Sequence, residues 1–514
     1  MAHTESDPEI QVYLAAFREG LQRLGRLNLA KWRVARTALR GTHGALLLAI
    51  ALAVALIALA GNKALAQEAS NLPAPEVVAP RAEPPGTVEP SISSSIPALG
   101  DFKQALLARG VNFQLSYIQD TFGNATGGVQ QGATYNGALY MLIDADLATL
   151  AGLSGMTFRV NAFQIEGRGL SLNNVFNYST ISSIEALPTT RLVELWIEQK
   201  LFADTASIRI GQLAADNQFF VSEFSGLYVN GTFGWPTLFA ANLPGSGPGY
   251  PLATPGARLK VTPNDQVTLL GGIFNGDPAG TGFTGLEQIK NPAGINFRVS
   301  DPPLLFGEAQ FSYNQHKFSS GLAGTVKIGA WYHFGTFDDN HFGFDGRSLA
   351  DPLSVGVPLT HSGDYGLYGV IDQMLWRLPG DDPKRGVAAF ARVAGSPADR
   401  NLMDFYADAG VNFIGVLAQR PDDSFGCAAA FSRLAPPVRS LDQDAIFFSG
   451  ELSSVRNYEL ALEFTYQAQI VPGWTIQPDF QYIFHPGGGA ADPYNPAVRI
   501  PNAAVFGVRT IVTF

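Results

Sequence analysis

The sequence predicts an all-β fold, a transmembrane antiparallel β-barrel of about 16 strands, and three observations carry that expectation. The 514 residues are 46% hydrophobic and only 15% charged, with a mean hydropathy of +0.08. Yet beyond residue 66 no apolar run reaches the roughly 20 residues that a spanning helix needs. Lipid offers the backbone no hydrogen-bond partners, so a chain that spans without helices must close into a barrel. From Val111 onward, segments of alternating character are separated by turns or loops. The last segment, Asn502–Phe514, sets Ala504, Phe506, Val508, Val512 and Phe514 on one face and Arg509 and Thr513 on the other.

The elements follow in chain order. Residues 1–43 form a long basic leader that includes Arg18, Arg23, Arg26, Lys31, Arg33, Arg36 and Arg40. The apolar run Ala45–Ala60 follows, then the small-residue site Ala64–Ala66, which is the anatomy of a secretory signal cleaved after Ala66. The competing reading is a retained inner-membrane anchor, for which the run is short. Residues 67–100 carry seven prolines, from Pro73 to Pro97. Proline at that density suits an extended periplasmic linker and cannot build a core. Residues 101–514 are then the barrel domain, opened by a short amphipathic helix over Asp101–Arg109.

Within the barrel, Ala257, Leu259 and Val261 alternate with Arg258, Lys260 and Thr262. Ile295, Phe297 and Val299 alternate with Asn296, Arg298 and Ser300, which reads as a strand over Gly294–Asp301. Tyr458, Leu460, Leu462, Phe464 and Tyr466 alternate with Glu459, Glu463, Thr465 and Gln467. Successive side chains on a strand point to opposite faces, so one face suits lipid and the other water. Short turns (Ala151–Gly155, Pro263–Asp265, Gln419–Asp423, Pro472–Gly473) alternate with long loops (Gly167–Thr190, Ala214–Pro255, Arg433–Ser454, Pro486–Pro501). The two registers collide between Asp301 and Asp364. A bent strand around Asp301–Pro303 gives 16 strands; a further strand within Thr336–Asp364 would give 18. Sixteen is the preferred count.

Certain motifs then carry a resemblance. They include Gly123–Asn124, Tyr135–Gly137, RLVELWIEQKL over Arg191–Leu201, Gly211–Asp216 with Phe219, and NGTFGWP over Asn230–Pro236. KIGAWY over Lys327–Tyr332, DYGLYGVIDQML over Asp364–Leu375 and His485–Gly488 complete the series. In this order, over residues 102–514, the chain resembles the carbohydrate-selective porins, the glucose-porin (OprB-type) family of Gram-negative outer membranes. The resemblance implies an outer-membrane, water-filled pore for passive diffusion of glucose and related small sugars. A general or anion-preferring porin of the same architecture is the alternative. It further implies a barrel in outer-membrane lipid, inserted by the barrel-assembly machinery through the terminal Phe514, as a monomer or homotrimer.

Composition removes other classes. Cys427 is the only cysteine and the seven histidines are scattered, so neither a disulfide framework nor a metal site is expected. Without residues 1–66 the chain holds 26 Lys and Arg against 40 Asp and Glu, net −14, a poor balance for nucleic acid. No Gly-x-Ser-x-Gly or Ser/His pairing supports a barrel enzyme, and no cofactor is called for.

Strand parity nominates the lumen. On Arg191–Leu201, Val193, Leu195 and Ile197 are expected to face lipid, leaving Glu194, Trp196 and Glu198 inside. Ile208 and Ile210 face out and Arg209 in. By the same logic Arg159, Arg258, Lys260, Arg298, Lys327 and Trp331 line a sugar path, with the Trp196 ring as a flat face for a pyranose. The longest loop, Ala214–Pro255, is the candidate constriction, through Asp216, Asn217, Phe219 and Trp235. The plainer reading of each charge is ordinary lumen solvation, and of the loop a surface position.

Overall fold

The structure, a computed structural model, describes residues 91–514 apart from 282–286, 317, 318, 320, 381 and 383. The signal and most of the proline-rich linker expected from the sequence lie outside the described residues. A helix over Pro97–Leu107 leads into the first strand, with proline at its start, where a missing N–H costs nothing.

The barrel strands are β1 (Val111–Thr126), β2 (Gly132–Asp146), β3 (Met156–Gly167), β4 (Thr189–Leu201), β5 (Ala206–Leu213), β6 (Thr254–Val261), β7 (Val267–Asn275) and β8 (Pro303–Tyr313). They continue with β9 (Gly324–Gly343), β10 (Pro358–Arg377), β11 (Gly386–Gly395), β12 (Met403–Ile414), β13 (Ser424–Leu434), β14 (Tyr458–Val471) and β15 (Trp474–Phe484). A small hairpin, β16 (Ala491–Asp492) with β17 (Asn495–Arg499), sits in the last long loop before β18 (Ala503–Thr513). Leaving that hairpin aside, sixteen strands close into one barrel, each paired with its neighbours along the chain and β1 sealed against β18. That seam runs antiparallel from Ser116 opposite Thr513 to Gly123 opposite Phe506. Closure satisfies every strand edge, as lipid demands.

Short turns gather at one end of the barrel and long loops at the other. The tightest turn is Pro472–Gly473 between β14 and β15, where Gly473 has φ 83°, open only to glycine without strain. The outer face is apolar: Ile197, Ile210, Ile328, Leu367 and Phe506 are all exposed, as residues that meet hydrocarbon in place of water. Phe464, Phe480 and Phe506 form an aromatic row across β14, β15 and β18.

Two expectations from alternation fail. Gly294–Asp301 is not a strand; it is the end of the loop between β7 and β8, with Phe297 at φ 44°, and Arg298 is half-buried there on Asp301 at 2.6 Å. Alternation reports local character only, and this segment pairs with no strand of the barrel. The count of 16 holds because β8 begins after that loop, and β9 and β10 are long strands with no further barrel strand between them among the described residues. Val193 does not face lipid either. The β3–β4 register steps from Asn161 opposite Glu194 to Ala162 opposite Leu192, so Val193 is the extra residue of a β-bulge. It is buried with Tyr140 and Phe163 on the inner side.

Candidate functional site

The barrel is not an open tube. The loop over residues 214–253, between β5 and β6, folds into the lumen and packs against the inner wall of β8–β13. Its aromatic residues build a core there: Phe219 stacks on Phe306 at 5.1 Å, Phe220 meets Tyr368 edge-on at 4.7 Å, and Trp235 stacks on Phe239 at 4.7 Å. Trp331 closes the same cluster against Phe239 at 4.8 Å.

A buried loop must find partners for its backbone, and the lumen wall supplies them through carboxyl and guanidinium side chains. Glu463 on β14 accepts from the Asn230 N–H at 2.9 Å and from that of Val229. Asp372 on β10 accepts from Glu223 N–H at 3.0 Å, and Glu308 on β8 from Phe220 N–H at 2.8 Å. Arg392 on β11 works in the opposite sense. It donates to the carbonyls of Thr232, Phe220 and Gly234, at 3.0, 3.3 and 3.3 Å, while Asp408 on β12 holds its guanidinium. Bonds from a charged donor such as the Arg392 guanidinium are roughly twice as strong as neutral ones. The loop over residues 168–188 is held alike: Glu459 accepts from Tyr178 and Ser179, and Asp120 takes Ser182 and Arg509.

These clamp residues were missed by the sequence reading. Parity marks them as inward, but nothing in the sequence separates a carboxylate that holds a loop from one that faces water.

On the opposite wall, β2–β6, the nominated charges come together. Asp144 pairs with Arg159 through two bonds, at 2.6 and 2.7 Å. Glu198 takes Arg209 on one oxygen at 2.7 Å and Arg258 on the other at 3.0 Å. Arg258 also reaches Ser207 and, through the constriction loop, Gln218. Glu194 accepts from Asn161 at 3.0 Å. The Arg209 guanidinium lies 3.7 Å from the centre of the Trp196 ring, a cation–π arrangement. Trp196 is consequently only 2% exposed, so its face is covered by Arg209 where the sequence expected an open platform.

Lys260, inward on β6, is exposed. Lys327 is tied to the loop by a 2.6 Å bond to the Val221 carbonyl, and Arg298 lies apart in its own loop.

Of the loop candidates, Asp216 accepts from the Tyr250 N–H at 2.7 Å and is otherwise enclosed; burial pushes its carboxyl up to about 7. Phe219 and Trp235 belong to the loop's own core. Asn217 lies with Asp216 beside a small cavity lined by Tyr140, Asn161 and Tyr250. The arrangement fills part of the lumen with a loop and sets paired charges on the wall beside it. Side chains of these types can exchange hydrogen bonds with a polar solute.

The comparisons agree with that geometry. The sequence profile of the family described as "Carbohydrate-selective porin, OprB family" matches residues 130–514. Porin B of Pseudomonas aeruginosa is 22% identical over 441 residues, which cover 81% of this chain and 91% of that protein. Pseudomonas putida OprB, in its high-pH structure, superposes with a TM-score of 0.71 at 22% identity, over 81% of this chain and 97% of that one. The protein is an outer-membrane channel rather than an enzyme, and it belongs to the OprB family of carbohydrate-selective porins.

Proposed function

We propose that this porin passes glucose and similar monosaccharides through the gap between the inward loop and the β2–β6 wall. The observation that carries the reading is the pinned loop at residues 214–253, which narrows a barrel of sixteen strands from within. Such a barrel would otherwise leave a wide aqueous channel. The narrowing faces charged side chains already paired with one another, so a solute's hydroxyls meet donors and acceptors without a net trap. Weak, reversible contacts suit conduction better than tight binding.

Within this reading Arg159, Glu194, Glu198, Arg209, Arg258 and Lys260 border the sugar path. Trp196 acts through Arg209, whose guanidinium it holds flat, and Lys327, Trp331, Asp216, Phe219 and Trp235 support the loop. Outer-membrane lipid is the partner of the apolar outer face. Phe514 is the proposed signal to the barrel-assembly machinery, and the assembly is a monomer or homotrimer.

A liposome-swelling series with sugars of graded size tests the function. Rates that drop sharply beyond monosaccharides are expected, and rates that fall only as free diffusion does would reject the selective passage. Arg209→Ala and Trp196→Ala are expected to weaken glucose block of single-channel current while folded barrel is still recovered. Normal folding with unchanged block would move the constriction elsewhere.

A further inference from the structure

A barrel alone in lipid meets the same solvent all round, so its outward side chains should be of one kind all round. Here they are not. On β11 and β12 the outward positions from Val387 to Val393 and from Ala407 to Phe413 are all alanine, valine or phenylalanine.

On β1–β4 the outward face turns polar. Tyr117, Gln119 and Thr121 on β1, Tyr135 on β2, Gln164 and Glu166 on β3 and Thr190 on β4 all lie there. Their neighbours Ile118 and Ile165 point the other way and pack inside with Ile184 of the loop over residues 168–188. Both tyrosine hydroxyls donate to the same oxygen of Glu166, Tyr135 at 2.6 Å and Tyr117 at 2.7 Å. The carboxylate rests over Gly137, where a Cβ would stand only 2.7 Å from it, so the glycine makes its room. Gln119 donates to Thr121 at 2.7 Å, and Thr190 donates to Gln164. That leaves Glu166 Oε2, the Gln119 carbonyl and the Gln164 amino group without a partner among the described residues.

Part of this patch lies too deep for lipid headgroups to satisfy. β18 is 11 residues long, and a tilted strand needs about 9–11 to cross the hydrocarbon. Gln119 and Thr121 stand opposite Thr510 and Val508, near the middle of that strand. Lipid tails offer such groups no hydrogen bonds, and polar side chains at membrane depth usually face protein.

We propose that the outward face of β1–β4 is a contact between copies of this chain, in which the free Gln164 amide of one copy donates to the free Glu166 oxygen of another. The patch is self-complementary, since amide donors and carboxylate and carbonyl acceptors stand side by side. In a closed symmetric oligomer every copy presents the same surfaces to its neighbours, so each supplies what the other lacks. The helix over Pro97–Leu107 does not cover the patch, because Lys103 holds it at the short-turn end on the Phe514 carbonyl, at 2.9 Å. The apolar face of β11 and β12 is then the side left to lipid. Of the two assemblies named above, the monomer is the one set aside.

The test places single cysteines in the full-length porin carrying Cys427→Ser. Gln164→Cys and Ala409→Cys are treated with a short bismaleimide in native outer membranes and run on denaturing gels. The expected result is a product of twice the chain mass from Gln164→Cys and none from Ala409→Cys. Light scattering of the porin in detergent is expected to give more than one copy per particle. Tyr135→Phe with Glu166→Gln is expected to reduce that to one, while heat-modifiable gel mobility still reports a closed barrel. Gln164→Leu leaves the tyrosine–carboxylate bonds in place and reads the same shift if the double variant does not fold.

One copy per particle with no Gln164→Cys product, or linkage through Ala409→Cys instead, overturns the proposal. So does a single-copy particle that retains lipopolysaccharide and loses it in Glu166→Gln, which would give the patch to an outer-leaflet lipid. No readout involves a sugar, so failure here leaves the pore reading standing.

Discussion

Arg392 makes the plainest residue-scale prediction, because it is buried, ion-paired to Asp408 and bonded to three loop carbonyls. Arg392→Ala strands a buried carboxylate and three carbonyls at once, and breaking such a pair typically costs about 3–5 kcal/mol. Thermal unfolding followed by gel mobility should show that loss, together with noisier single-channel current as the loop loosens. A quiet, equally stable channel would mean that the loop is held by its aromatic core alone. At this scale parity made Arg209, Arg258 and Glu198 legible, since a charge facing hydrocarbon is expensive and the outward neighbours Ile208 and Ile210 are apolar. Val193 and Trp196 were not legible. A bulge depends on the partner strand's register, and the cover over the Trp196 indole depends on a guanidinium thirteen residues away in the chain.

Among the elements, the inward loops carry the titration behaviour. Asp216 in one and Glu185 in the other are each pushed up to about 7 by burial, the second despite the Ser171 N–H that its carboxylate accepts. Both values lie above the ordinary carboxylate range, so the protonated acid is the form that the folded loops favour. Their contribution to loop stability is fully present below about pH 4. It is lost as pH rises through about 7, where the buried groups ionise. Channel recordings from pH 5 to 8 should show loop-related current noise rising with pH. The double variant Asp216→Asn with Glu185→Gln is expected to flatten that rise, and an unchanged profile would assign the noise to other groups.

The end strand makes a separate prediction at this scale. β18 seals the barrel against β1, and the Phe514 N–H donates to the Leu115 carbonyl at 2.7 Å. Removing Phe514 is expected to cut the yield of folded barrel in outer membranes, and undiminished yield would assign the assembly signal to another segment. Strand and turn order were readable because β-turn chemistry and alternation are local. The false strand at Gly294–Asp301 shows the limit: a loop can alternate in sequence equally well, and only pairing distinguishes the two.

At the scale of the whole molecule, scaffold and restriction are separable. The sixteen strands pair only with one another, and the loop at residues 214–253 adds nothing to that ladder. Overall class was legible in the sequence because hydropathy without spanning helices leaves one solution in lipid. The inward fold of the loop was not, since its anchors Glu308, Asp372, Arg392 and Glu463 are scattered over four strands far apart in the chain. Replacing residues 219–247 with a short glycine linker should therefore leave the barrel closed. The anchors would lose their backbone partners, but the space vacated fills with water, so they would be rehydrated and the cost is smaller than in a dry core. With the aromatic core of the loop gone, Phe306, Trp331 and Tyr368 would line a wider lumen. Single-channel conductance should then rise, and disaccharides and trisaccharides should enter liposomes at rates approaching those of glucose. A folded variant that still excludes them would place the size limit in the β2–β6 wall instead, and the loop would be a structural filling rather than the gate.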